Sequence, residues 1–199
     1  MYQRADRSQK ESSPYSAVIT REQFLFYEMR TTAKLVAEGL NDEQVADRIT
    51  SDNLFQYPTE KSVRRMALTC LRRLKALDDP KLVAAIASQP SDVSKQICLY
   101  AMMKQYRLVW DFMITVVGAK YENRDMSFSR MDFNVFMMCL QEQDDWVASW
   151  SDSTVTKVKQ VLARILVDNE YLDSTAADHL NPVLIYPCLL YTSDAADDL

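Results

Sequence analysis

The sequence TEKSVRRMALTCLRRLKALDD, residues 59–79, decides the fold class, because its apolar and charged side chains separate with the period of an α-helix. At about 100° per residue, the apolar side chains fall on one side of a helical wheel. Thr59 precedes the first turn as an N-cap. The stretch therefore predicts a helix over residues 60–77 that buries one face. The residues of that face are Val63, Met66, Ala67, Cys70, Leu71, Leu74 and Leu77.

The opposite face of the same predicted helix is basic, and Glu60 is its one acidic residue. Arg73 lies on the flank of the basic arc, and we expect it to point outward with the others. The whole chain has a net charge of −5, so the residues outside this helix are more acidic than that total suggests. The basic residues are Lys61, Arg64, Arg65, Arg72, Arg73 and Lys75.

Two interpretations of this basic face stay open. A concentrated set of cations neutralises several phosphates of a nucleic acid, and arginine offers planar donors that fit phosphate or guanine. Alternatively, the face is the solvated side of a core helix. A short predicted helix over residues 42–50, the connector SDNLFQYP and the longer basic helix follow in helix-turn-helix order, although this connector is longer than usual. In such a unit, the half that contacts base edges would carry Thr59, Lys61, Arg64 and Arg65.

A weaker version of the same pattern occurs in a predicted helix over residues 154–169. Its apolar side chains, such as Val158 and Ile165, point inward. Three cations point elsewhere but spread over two flanks, so a solvated surface is the favoured interpretation here. We keep them as secondary DNA-binding candidates. They are Lys157, Lys159 and Arg164.

Composition excludes several classes of enzyme. Two glycines in 199 residues cannot build a phosphate loop or a dinucleotide fingerprint, and one histidine excludes a multi-histidine metal site. No two of the four cysteines lie close enough for a CxxC motif, so we expect buried, reduced thiols in a cytoplasmic protein. The serines around Trp150 lack a nucleophile-elbow glycine and a nearby histidine. We therefore expect no catalytic residue, no metal, no cofactor and no small-molecule substrate.

The remaining pattern predicts an all-α fold of two packed helical subdomains with helix-turn-helix or winged-helix-like character. A capping box at Thr20 and Gln23 predicts a helix that Gly39 ends, and one long helix is predicted over residues 92–120. The sequence PVLIYP is expected to form at most one short C-terminal β element. The predicted organisation is a disordered leader over 1–16, an N-terminal domain over 17–89, a C-terminal domain over 90–187 and a disordered, non-native tail over 188–199.

Several segments together resemble one family. FLFYEMRTTAKLVAEGLNDEQVADRI and NLFQYPTEKSVRRMALTCLRRLKALDD are similar to the N-terminal half of BrxA proteins. KQICLYAMMKQYRLVWDFMITVVGAKY, VASWSDSTVTKVKQVLARILVDNEYLD and LNPVLI are similar to the second half, so the resemblance covers residues 15–187. BrxA is a small component of BREX bacteriophage-exclusion systems, which also include a large ATPase, an alkaline-phosphatase-like protein and an adenine DNA methyltransferase. The resemblance implies double-stranded DNA binding without catalysis.

Two functions from different classes follow as expectations. The first is a cytoplasmic, DNA-binding accessory protein of phage defence, with low sequence specificity because no side chain is identifiable as a base reader. The second is an adaptor that assembles other BREX proteins through an exposed apolar patch around Trp146, Trp150 and neighbouring methionines. Some BrxA proteins carry an inner-membrane label, but the longest apolar stretch, residues 108–119, is too short to span a bilayer. We expect no membrane partner.

Overall fold

The computed structural model describes residues 12–187 and Leu189, and in this part of the chain it is all-α. A 3₁₀ turn, Ala17–Thr20, precedes the first α-helix. No sheet forms among the described residues, where Ser127 and His179 make one isolated β-bridge. The α-helices are α1 (Phe26–Ala37), α2 (Asp42–Ser51), α3 (Glu60–Ala76), α4 (Pro80–Ser88), α5 (Ser91–Gln105), α6 (Arg107–Phe112), α7 (Ala119–Glu122), α8 (Arg130–Gln143), α9 (Asp145–Ala148) and α10 (Asp152–Asp168), with a π-helical segment, Met113–Gly118, between α6 and α7.

The first of two compact units comprises Phe24–Gln105 and the described residues from Leu184 onward. Helix α3 is its centre, since α1, α2 and α5 all pack against it. The predicted inner face of α3 is buried as a whole, from Val63 to Leu77. Thr59 accepts a hydrogen bond from the Ser62 N–H and so caps the helix as predicted. The amphipathic pattern of residues 59–79 therefore dictates both the helix and its burial.

The second unit comprises the described residues up to Gln23 and Tyr106–Val183. Its 3₁₀ turn packs on α10, and α10 packs on α8. The ring of Phe112, at the end of α6, is fully buried and lies 5.4 Å from the Phe133 ring and 5.2 Å from the Phe136 ring, between centroids. These aromatic contacts hold α6 and the π-helical segment alongside α8.

The helix predicted over residues 92–120 is interrupted twice. Tyr106 is extended between α5 and α6, and its hydroxyl donates a 2.5 Å hydrogen bond to the buried Glu22 carboxylate. Further on, the π-helical segment carries the chain through Gly118, where a Cβ atom would lie 3.3 Å from the Met113 carbonyl oxygen. Gly118 therefore lies inside a helical run and does not end a helix.

One local prediction is wrong, and one permitted β element does not form. Helix α1 begins at Phe26 and not after Thr20, because Leu25 adopts a left-handed conformation (φ 58°) that an α-helix does not continue through. The segment PVLIYP forms no strand, because its backbone bonds to a side chain: Gln96 donates to the Leu184 carbonyl at 2.8 Å, and the Tyr186 N–H donates to Gln96 at 3.1 Å. A winged-helix arrangement is not confirmed, since the described residues form no β-hairpin.

The boundary between the units lies between Gln105 and Tyr106, whereas the predicted domain boundary lies between residues 89 and 90. Helix α5 packs on α3 and α4, so it belongs to the first unit.

The described end of the predicted leader is ordered, since Tyr15 donates a 2.7 Å hydrogen bond to Asp111. Burial and this bond raise the pKa of Tyr15 to about 12, so the hydroxyl stays a donor. The rest of the predicted leader, residues 1–11, and the predicted tail apart from Leu189 lie outside the described residues.

No helix within residues 12–187 combines the length and the apolar character that crossing a membrane requires.

Gly39 offers a test of the end of α1. Its φ of 89° is one that side-chain-bearing residues rarely adopt, and nothing lies within 4 Å of a Cβ atom placed there. We expect Gly39→Ala to lower the free energy of unfolding by about 1–2 kcal/mol through backbone conformation alone. Gly39→Asn is expected to lose less, because asparagine tolerates this conformation. Urea unfolding measures both variants, and an alanine variant as stable as the wild type contradicts this account.

Candidate nucleic-acid interface

The outer face of α3 carries five exposed cations. Lys61, Arg64, Arg65, Arg72 and Lys75 are all exposed, as the helical wheel predicts. Leu68, which is 43% exposed, lies on the same side between Arg65 and Arg72. For these five residues, the exposure of the side chain thus agrees with the predicted position on the helix.

Helix α2 neutralises one edge of this face. Arg64 Nη1 lies 2.7 Å from Asp47 Oδ1, and Lys75 forms an ion pair with Asp42. The hydrogen bond and the charge of Asp47 raise the pKa of Arg64. Both pairs are exposed to solvent and so contribute little to stability. Their effect is on the distribution of charge, because they offset two of the five cations.

The other edge of the face carries Lys61, Arg65 and Arg72, which we call the open arc of α3. Within residues 12–187, Lys61 and Arg65 make no ion pair. The Arg72 guanidinium donates a 3.0 Å hydrogen bond to the Thr69 hydroxyl. At a rise of 1.5 Å per residue, the open arc is about 16 Å long from Lys61 to Arg72. A row of cations of this length can contact several phosphates of one duplex.

Arg73 does not belong to the exposed face, and the prediction that it points outward is wrong. Its side chain is fully buried, and Nη1 donates a 3.0 Å hydrogen bond to the Phe24 carbonyl oxygen. Phe24 is itself buried and directly precedes the left-handed Leu25. Arg73 therefore fixes the chain where it enters α1, and from this position it cannot contact a phosphate.

The connector between α2 and α3 is held in place by its aromatic residues. Phe55 is buried, and the Tyr57 hydroxyl donates a 2.5 Å hydrogen bond to Glu28 on α1. Burial, with this bond, raises the pKa of Tyr57 well above its usual value. Asn53 and Gln56 have positive φ angles of 44° and 56°, which turn the chain between the two helices. The connector thus fixes α2 against α3 despite its length.

The three cations of α10 lie in the second unit and are mostly engaged. Lys159 donates a 2.8 Å hydrogen bond to the Asn134 side chain, and Arg164 forms a 2.9 Å ion pair with Asp168. Lys157 is exposed and makes no ion pair in the part of the chain that the structure describes.

Cys70 and Cys98 are buried as predicted, Cys139 is half-buried, and burial raises the pKa of the Cys98 thiol. Among the described residues, no cluster of three or more cysteine, histidine, aspartate and glutamate side chains is placed to hold a metal ion. Trp150 is 7% exposed, so the apolar patch expected to include it is not formed around that residue.

These features define an all-α protein of two helical units, one of which displays a cationic helix. A family model described as BrxA matches residues 13–191. The BREX protein BrxA of Bacillus cereus (strain H3081.97) is 37% identical over 158 residues, which cover 79% of this chain and 78% of that protein. The BREX protein BrxA of Paramagnetospirillum magneticum (strain ATCC 700264 / AMB-1) is 25% identical over 158 residues, or 79% of each chain.

The fold also has a solved counterpart, a crystal structure of an uncharacterized protein from Magnetospirillum magneticum. The structural match covers 94% of this chain and 95% of the chain in that crystal structure, with a TM-score of 0.77 and 22% sequence identity. The chain belongs to the BrxA family, and the resemblance noted in its sequence is confirmed.

Arg72 and Arg73 form a matched pair for testing burial. Arg73→Met leaves the buried Phe24 carbonyl without its bond to the guanidinium, and we expect a loss of about 1–3 kcal/mol in the free energy of unfolding. Arg72→Met removes an exposed side chain and is expected to change it by less than about 0.5 kcal/mol. Chemical denaturation of both variants measures the difference, and equal losses would show that Arg73 has no special structural role.

Proposed function

We propose that the chain is a non-catalytic accessory protein of a BREX phage-defence system and that it binds double-stranded DNA through α3. The observation that carries the proposal is the open arc, in which Lys61 and Arg65 are exposed and make no ion pair among the described residues. The BrxA relatives are BREX proteins, so other BREX proteins are further expected partners.

The mechanism is chiefly electrostatic. Each phosphate that a lysine or arginine neutralises releases condensed counterions from DNA, and this release favours binding most at low salt. Helix α2, the connector and α3 follow in helix-turn-helix order, with α3 as the helix that enters the groove. Lys61 and Arg65 lie in the N-terminal half of α3, nearest the base edges, whereas Arg72 reaches the backbone. Specificity is low, because most of these contacts are to phosphate.

The acidic residues of α2 limit the width of the DNA-binding face. Asp42 and Asp47 hold Lys75 and Arg64, so a phosphate has to displace a carboxylate before it can pair with either cation. Both carboxylates also repel DNA from that edge. The duplex therefore lies along the open arc and away from α2.

Lys61→Ala/Arg65→Ala tests the open arc. Removing two phosphate contacts is expected to weaken binding to a random-sequence duplex and to reduce the slope of log K against log salt by about 2. Fluorescence anisotropy at several salt concentrations measures both quantities. Lys34→Ala/Lys81→Ala is the matched control, since it removes two exposed cations from α1 and α4 with the same change in net charge. Equal effects of the two double variants would show that only total charge matters, and no effect of the first would refute the site.

Asp42→Asn/Asp47→Asn tests whether the carboxylates of α2 weaken DNA binding. Releasing Lys75 and Arg64 from their carboxylate partners is expected to tighten DNA binding and to increase the salt slope by up to about 2. The same anisotropy titration measures the change. Glu38→Gln/Glu122→Gln is the control, because both carboxylates are exposed and neither makes an ion pair within the described residues. If both variants bind equally, α2 has no role in shaping the face.

A further inference from the structure

Helix α8 carries an exposed apolar stripe that its own unit does not cover. Met131 is 64% exposed, Val135 is 44% exposed and Met138 is 52% exposed. Their spacing of four and then three residues places them on one side of the helix, as in the contact seam of a helix pair. Of the large apolar side chains exposed in the described second unit, all but Ile114 lie on this stripe.

The polar residues on both sides of the stripe are already bonded within the unit. Asp132 accepts a hydrogen bond from the Ser129 N–H and lies 3.1 Å from Lys120 Nζ. On the other side, Asn134 accepts the hydrogen bond from Lys159. The stripe is therefore an apolar ridge, and the polar side chains on both sides of it make hydrogen bonds or ion pairs within the unit.

The charges left over on α8 have opposite signs at opposite ends. Arg130 opens the helix, and Glu142 continues the stripe four residues after Met138. Both side chains are exposed, and neither makes an ion pair in the described part of the chain. A helix with this distribution is complementary to a second copy of itself that runs in the opposite direction.

A groove lies next to the stripe. Its volume is about 670 Å³, and it separates α8 from the π-helical segment and α7. Val135 and Cys139 line it on one side, and Val116 and Ala119 line it on the other. Charged residues such as Asp111 and Lys120 also line the groove. An apolar ridge beside a groove is an arrangement in which two such surfaces can interlock.

We propose that the stripe binds a second copy of this chain, with the two α8 helices packed antiparallel about Val135. Val135 then faces its own equivalent, and Met131 faces Met138 of the other copy. Glu142 comes within about 3 Å, along the helix axis, of the level of Arg130 in the other copy. In a parallel pairing, Arg130 would instead lie beside Arg130 of the other copy, and Glu142 beside Glu142. This repulsion favours the antiparallel arrangement.

The proposed interface is small, so the dimer is expected to be weak and concentration-dependent. Helix α8 is 14 residues or about 21 Å long and offers three apolar side chains. Stable interfaces usually bury about 800 Å² on each partner. A covalent trap is therefore the most sensitive test.

Val135→Cys provides that trap, in a Cys188→Ser background shared by all variants. Mild oxidation is expected to give a disulfide-linked dimer, because the new thiol faces its own equivalent. Native Cys139 lies about 12 Å along the axis from its equivalent in this arrangement, so the parent protein is expected to stay monomeric on a non-reducing gel. Leu68→Cys is the matched control, since Leu68 is 43% exposed but lies on α3.

Charge substitutions at the same position test the arrangement without a cross-link. Val135→Glu and Val135→Lys are each expected to abolish the concentration-dependent dimer in sedimentation velocity, and an equimolar mixture is expected to restore it. Val135 is half-exposed in a helix, and circular dichroism checks that both variants stay folded.

Three results would overturn the proposal: no more cross-linked dimer from Val135→Cys than from Leu68→Cys, a parent protein that stays monomeric up to its solubility limit, or a mixture of the charge variants that fails to associate. The second result would assign the stripe to a partner of different sequence.

Discussion

The burial of one face of α3 is the constraint on which the first unit depends. Three helices pack against that face, so its register determines where α1, α2 and α5 lie. The same helix carries six cations, and burying an unpaired charge is expensive. Five of them point away from the core. The sixth, Arg73, is buried and donates a hydrogen bond to the Phe24 carbonyl oxygen, and this contact ties α3 to the start of α1.

Electrostatics on the surface of this unit follow from the same geometry. Because α2 packs beside α3, Asp42 and Asp47 reach Lys75 and Arg64, and one edge of the basic face loses its free charge. On the opposite edge, Lys61 and Arg65 make no ion pair within the described residues. A net charge of −5 therefore describes this surface poorly, because the local potential depends on how cations and carboxylates are distributed over it.

The sequence predicts α3 well because amphipathic periodicity is a local property. Its start, its N-cap and its buried face all agree with the sequence pattern. The helical wheel does not predict the burial of Arg73, because Arg73 lies only about 20° from the buried Met66. At such a position, a small rotation of the helix decides whether a side chain is buried or exposed. Its acceptor, the Phe24 carbonyl, lies 49 residues away and leaves no local signal.

The break at Tyr106 escaped prediction for a related reason. Apolar residues continue on every face across residues 91–122, so periodicity gives no sign of an interruption. The extended conformation is stabilised by the bond from Tyr106 to Glu22, which is 84 residues away. Trp150 is a different case. Its neighbours in the sequence are polar and suggest that it is exposed, yet the fold of the second unit buries its side chain.

The two proposed surfaces have a physical consequence in common. Each unit carries one of these surfaces, the open arc of α3 on the first and the apolar stripe of α8 on the second. A dimer joined through the stripe carries two cationic arcs in one particle. Once one arc binds a duplex, the second is held at a raised effective concentration near the same DNA, provided that the geometry allows both to engage. Weak self-association would then convert weak, salt-sensitive contacts into stable occupancy only where DNA brings two copies together.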